Sequence, residues 1–231
     1  MTKHLDRELD RLRRDLVEQF GLVEQMIQLA VRSLVERRVD LADRVIKSDT
    51  QVDQTDIRIE EECLKLMALH QPVATDLRWL ITVVKVNGEL ERMADLACNI
   101  AERAKALDLF PLFPVPEELS EMVTAATGMV RMALDAFVEG DAKKATEAIQ
   151  ADDLIDTLNR VVIDQLHTIM KQDSGQIEPA VHCFSASRHL ERIGDLAENI
   201  SEDVIYLVAG DIVRHKHGVF LHSPASQSDS R

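Results

Sequence analysis

Read for polarity alone, the chain alternates long amphipathic stretches with short polar breaks. Leu5, Leu9, Leu12, Leu16, Phe20, Val23, Ile27, Ala30, Val31 and Leu34 recur at three- and four-residue steps. That is the period of an α-helix with one buried side. After a polar junction near Arg37–Asp40, the spacing predicts a second helix from about Leu41 to Leu69. A third begins past Pro72, a residue that suits a helix start, and runs to about Leu107. The second half follows the same plan: a helix over roughly 117–139, one over 141–171 and one over 177–209. Gly140 stands where the first of these should stop, because glycine readily takes the left-handed conformation that closes a helix. Helices of this size reach about 45 Å, and three joined by short loops bury one another's stripes as an antiparallel bundle. The predicted fold is all-α: two tandem, duplicated three-helix bundles over 1–110 and 111–214. Pro111, Pro114 and Pro116 mark the boundary, and the polar, Ser-rich tail 215–231 is expected to be mobile.

Self-comparison supports the duplication. The segment from Leu90 to Ile100 reads LERMADLACNI, and Leu190 to Ile200 reads LERIGDLAENI, a spacing of 100 residues throughout. Ile46, Asp49, Val52, Asp53 and Met67 return as Ile149, Asp152, Ile155, Asp156 and Met170, now 103 residues on. Apolar periodicity alone matches any two helices to some extent. It does not keep Glu, Arg, Asp and Asn in place within one short window.

Composition narrows the function classes. Aromatic residues are 3% of the 231 positions, fewer than a sheet protein uses. The formal net charge of −14 argues against nucleic acid as a partner and favours cations or a basic protein surface. Cys63, Cys98 and Cys183 show no paired spacing and lie in helical patterns, as expected of reduced thiols in the cytoplasm. The N-terminal residues are charged, and no stretch of 18 apolar residues exists, so no membrane-spanning helix is predicted. Glycine-rich phosphate loops, nucleophile elbows and paired-histidine zinc motifs are missing from the sequence, so the chain is not expected to be an enzyme.

The candidate chemistry lies in repeated carboxylates. Glu91 and Asp95 are four residues apart, as are Glu191 and Asp195; on a helix each pair stacks on one face. Asp49/Asp53 and Asp152/Asp156 do the same on the second helix of each half, with Asp56, Glu60, Glu102, Glu198 and Glu202 extending the stripes. Like charges so placed repel by a few tenths of a kcal/mol per pair, and either arginines or bound cations must offset them. Carboxylates without Cys or His in register favour hard ions such as magnesium, manganese, calcium or oxidised iron. A solvated acidic face with ordinary arginine pairs is the competing interpretation. His189 is expected to cap a polar edge, and Arg78 to pair with a carboxylate across the bundle.

The duplicated Leu-Glu-Arg-Met/Ile-Ala/Gly-Asp-Leu-Ala-x-Asn-Ile segments resemble the PhoU family. So do Pro72-Val73-Ala74-Thr75-Asp76-Leu77-Arg78 and Glu202-Asp203-Val204-Ile205-Tyr206-Leu207. The resemblance implies two similar three-helix bundles side by side. It also implies a regulator that represses the phosphate-starvation response and restrains phosphate uptake, through contacts with a sensor histidine kinase and the phosphate-transporter ATPase subunit. Metal clusters, iron or zinc among them, are implied on Glu91/Asp95 and Glu191/Asp195, with Asp49/Asp53 and Asp152/Asp156 as facing ligands. A departure is Cys98 where the second copy has Glu198, which implies a weaker or softer first site. A homodimer is expected. The rival functions are a metal-dependent phosphohydrolase and a metal-free helical adaptor.

Overall fold

A computed structural model describes residues 3–210. The expected tail at 215–231 lies outside them, as do the side chains of residues 3 and 4. Seven α-helices follow one another: α1 Lys3–Val35, α2 Val39–His70, α3 Ala74–Leu107, α4 Glu118–Glu139, α5 Ala142–Gln150, α6 Asp152–Gln172 and α7 Ile177–Ala209. A short 3₁₀ turn, Ser174–Gln176, precedes α7, and no strand occurs among the described residues.

The stripe predicted for α1 is its buried side. Leu12, Leu16, Phe20, Val23, Ile27, Ala30 and Leu34 are almost wholly covered, and removing that much apolar surface from water is the main favourable term in such a fold. α1, α2 and α3 pack on one another, and α4, α5, α6 and α7 do likewise. The two groups are not separate beads. α3 lies against α7 and α1 against α4, and one hydrophobic core runs through both groups. Trp79 stacks on Phe137 across this junction at 6.1 Å between ring centroids, and Arg131 pairs with Glu24.

The breaks have local causes. Gln71 takes a left-handed conformation and returns its N–H to Met67 O at 3.1 Å; Pro72, which cannot donate, follows. The proline-rich connection 108–117 is tied down from afar. Arg37, between α1 and α2, donates to the carbonyls of Leu107 and Phe113, and Phe113 enters the core. Gly140 closes α4 with φ +66°, and Asp141 then caps α5 by accepting from the N–H groups of Lys143 and Lys144. A Cβ at Gly140 would meet nothing within 4 Å. Gly140→Ala should therefore cost about 1 kcal/mol through backbone conformation alone, read as a lower urea midpoint at unchanged m-value.

One expectation fails. The helix predicted over 141–171 is two helices, interrupted at Ala151, whose N–H is shared between Glu147 O at 3.2 Å and Ala148 O at 3.1 Å. The break coincides with a close approach to the facing helix. A Cβ on Gly194 of α7 would stand 2.8 Å from Asp152 Oδ1 and 2.9 Å from Ile155 Cδ1. The break and the missing Cβ together seat the first turn of α6 against α7. The first half has Ala94 at the matching position, and its α2 is unbroken.

Candidate functional site

Each half carries one acidic face, built by the same pair of elements. In the first, Asp49, Asp53 and Asp56 come from α2 and Glu91 and Asp95 from α3. Asp95 is close enough to Asp49 and Asp53, and Glu91 to Asp56 and Asp53, for their charges to act on one another. Burial first, and these neighbours second, raise the proton affinity of both carboxyls. Asp56 is raised by burial, Glu60 and Asp53, while the amide of Asn87 donates to its Oδ1 at 2.7 Å and partly offsets this. Cys98 lies beside the same face. Burial, then Asp49, push its thiol above its ordinary value.

The second face is the more strained. Asp152 and Asp156 of α6 meet Glu191, Asp195 and Glu198 of α7. Half-burial, followed by the charges of Asp156, Asp195, Glu198 and Glu191, pushes the Asp152 carboxyl up to about 7. Asp195 is raised by burial and Asp156, against the partial relief of Arg188 and Arg192. Arg188, which the sequence pattern did not single out, donates to Glu191 Oε1 at 2.9 Å. An i, i+3 step from Arg188 to Glu191 was the available signal.

All eight sequence-predicted carboxylates therefore gather on two faces, α2/α3 and α6/α7. Their donor set suits a hard cation. Three buried oxygens, Asp49 Oδ1, Asp152 Oδ1 and Glu191 Oε2, have no hydrogen-bond partner, an expensive condition that a cation would relieve. Yet no three His, Cys, Asp or Glu side chains among the described residues are arranged to hold one ion.

Other candidates resolve differently. His70 contacts Glu8 Oε2 at 3.0 Å. Arg78 forms no ion pair among the described residues, and its buried Nε is unpartnered, contrary to the expected salt bridge. His189 shares a hydrogen bond with Ser185 Oγ at 3.2 Å. No helix among the described residues is long and apolar enough to cross a membrane.

A family model described as the PhoU domain matches this chain twice, over residues 16–104 and 119–204. The chain belongs to the PhoU family. Both matches span the helices that carry one acidic face. A phosphate-specific transport system accessory protein PhoU homolog of Pseudomonas putida is 39% identical over 218 residues, 93% of this chain and 84% of the relative. The homolog from Aquifex aeolicus is 36% identical, with 92% and 96% covered. Among solved structures, PhoU from Pseudomonas aeruginosa superposes with a TM-score of 0.86 at 37% identity, covering 89% of this chain and 99% of that one. The phosphate transport system regulatory protein PhoU of Streptococcus pneumoniae gives 0.84 at 28% identity, over 90% and 99%. PhoU relatives thus share the whole helical arrangement described here.

Proposed function

We propose that this PhoU-family chain is a cytoplasmic accessory regulator of phosphate transport. It represses the phosphate-starvation response when phosphate is plentiful and restrains uptake by docking on a sensor histidine kinase and on the transporter's ATPase subunit. The observation that carries the proposal is the paired match to the PhoU domain along almost the whole described chain, together with relatives named for that accessory role. Deleting its gene in the host should leave starvation genes expressed at high phosphate, and the purified chain should co-elute with the ATPase subunit. Normal repression in the deletion strain would overturn the regulatory reading, and absence of co-elution the docking.

Metal ions belong to the same proposal. Glu91, Asp95, Asp49 and Asp53 would hold one group of ions and Glu191, Asp195, Asp152 and Asp156 the other. Iron, zinc, manganese and magnesium are the candidates. A bound cation supplies positive charge that neutralises the carboxylates. The protein's part is to bring four carboxylates from two helices to one place, which fixes the α2/α3 and α6/α7 packing and sets the charge of the surface a partner meets. Dialysed protein should retain at least one ion per face by elemental analysis, and the Asp95→Ala/Asp195→Ala double variant should lose most of it. Unchanged metal content in that variant would leave the faces as docking surfaces for a basic partner. Catalysis has no part in this reading, and manganese-dependent phosphatase turnover that survives repurification would count against it. A homodimer is expected, which sedimentation of the full chain tests.

A further inference from the structure

The seam between α1 and α2 holds a partly enclosed cavity of about 190 Å³. This is a different seam from the α2/α3 acidic face. Its lining is polar: Asp15, Glu18 and Gln19 of α1 meet Gln51, Thr55 and Arg58 of α2, and Leu22 is the one apolar residue among them. Asp15 and Arg58 pair at 2.5 Å through one guanidinium nitrogen, so Arg58 keeps further N–H donors. Gln19 is 2% exposed, and neither its Oε1 nor its Nε2 has a hydrogen-bond partner. Exchanging the two amide atoms would not change that. A buried primary amide with its bonds unmade opposes folding.

The duplication shows that the fold does not call for glutamine there. α1 repeats as α4 at the 103-residue spacing of α2 and α6: Met26, Ala30 and Glu36 return as Met129, Ala133 and Glu139. On that register Gln19 becomes Met122, which is fully buried. Gln51, Thr55 and Arg58 become Leu154, Leu158 and Val161, while the carboxylates persist as Glu118 and Glu121. The second half therefore places apolar side chains at all four positions. In the first half the same four are polar, and a cavity lies between them.

The lining limits what can fill it. Two carboxylates against one guanidinium leave a net negative charge, which disfavours an anion. A bare cation would satisfy Gln19 Oε1 and leave Nε2 unbonded. A ligand with both a donor and an acceptor satisfies both atoms. The volume is several times the ~30 Å³ share of one water in the liquid, yet below the ~300 Å³ at which drug-sized sites begin. A molecule of few heavy atoms fits. We infer that this cavity binds one small zwitterion, of the class of free neutral α-amino acids. Glu18, Asp15 and Gln19 Oε1 accept from its ammonium, and Arg58 and Gln19 Nε2 donate to its carboxylate, as charge-assisted hydrogen bonds. Water is the competing occupant. A bound zwitterion would tie α1 to α2, the helix that carries Asp49 and Asp53. The cavity is separate from the carboxylate faces, and its test depends on neither the metal nor the regulatory reading.

The full chain, dialysed against chelator, should be titrated calorimetrically with L-serine, L-glutamine and L-glutamate in turn. L-Serine or L-glutamine should bind saturably at one site per chain, and L-glutamate, with its added negative charge, about tenfold more weakly or worse. Gln19→Met gives the first half the residue that the second half already buries, so it should melt at an unchanged or higher temperature and lose the binding. Arg58→Gln, at a half-exposed position, should fold and weaken the affinity by about tenfold or more. No saturable heat from any of the three compounds would mean a hydrated cavity only and would overturn the site. So would an unchanged affinity in folded Gln19→Met or Arg58→Gln, or tighter binding of L-glutamate than of L-glutamine.

Discussion

Asp152→Asn is expected to stabilise the metal-free protein at neutral pH, although it alters a half-buried polar residue. Asp152 sits under four other carboxylates, and half-burial with their charge lifts its carboxyl from 3.8 to about 7. A folded-state value above the unfolded one means that the fold holds this proton more tightly than the unfolded chain does. The associated stability is present below about pH 4 and is lost as the pH rises through 7. The full shift corresponds to about 4 kcal/mol. Solvent reaches half of the group, and screening reduces the expected effect to about 1–2 kcal/mol. Asparagine keeps the shape, including the close approach to Gly194, without the charge.

In chelator, urea unfolding should show native protein weaker at pH 7.5 than at pH 5, and Asp152→Asn should remove most of that difference. With manganese or iron added, the ranking should reverse, since only native protein has the full set of charges for the ion to neutralise. A variant less stable than native in chelator at pH 7.5 would show that the carboxylate serves a structural bond, and would remove the repulsion argument for the second face.

Much of this was legible in the sequence because helical periodicity and charge spacing are local properties. The stripe from Leu5 to Leu34, the stop at Gly140 and the start of α7 at Ile177 need only neighbouring residues to be read. The pairing of Asp49/Asp53 with Glu91/Asp95 follows once two adjacent helices must bury facing stripes, since each acidic pair then borders the same seam. The break at Ala151 was not legible, because the close approach that accompanies it involves Gly194, more than forty residues away on another helix. The same holds for Arg37, whose function as a clamp on Leu107 and Phe113 depends on where the proline-rich connection returns. The salt bridge expected of Arg78 across the bundle fails for a related reason: which carboxylates come within its reach depends on how the helices pack, and its Nε is left unpartnered. Residue spacing places the carboxylates on shared faces but does not encode whether three of them converge on one point, and among the described residues they do not.

Lys85→Met is expected to be the most destabilising single change at the junction of the two halves. Asp203 lies almost wholly buried in α7, and the Lys85 ammonium, 2.9 Å away, is its ion-pair partner from α3. Lys85 also lies 5.6 Å from the Tyr206 ring centroid, so its stem and charge are both used in the contact. Methionine preserves the stem and removes the charge. The buried carboxylate then loses this cation, and breaking a buried pair from one side costs about 3 kcal/mol or more. Asp203 has further contacts, which places the expected loss near that lower figure. Replacing both members, Lys85→Met with Asp203→Leu, should recover most of the loss, because a hydrophobic pair of similar volume needs no desolvation of charge. A double-mutant cycle by urea unfolding separates the alternatives. Strong coupling with a near-native double variant means the pair serves to set the register of α3 on α7. Independent, additive losses would mean that each side chain acts through its own packing, and that the antiparallel crossing is held by the apolar seam alone.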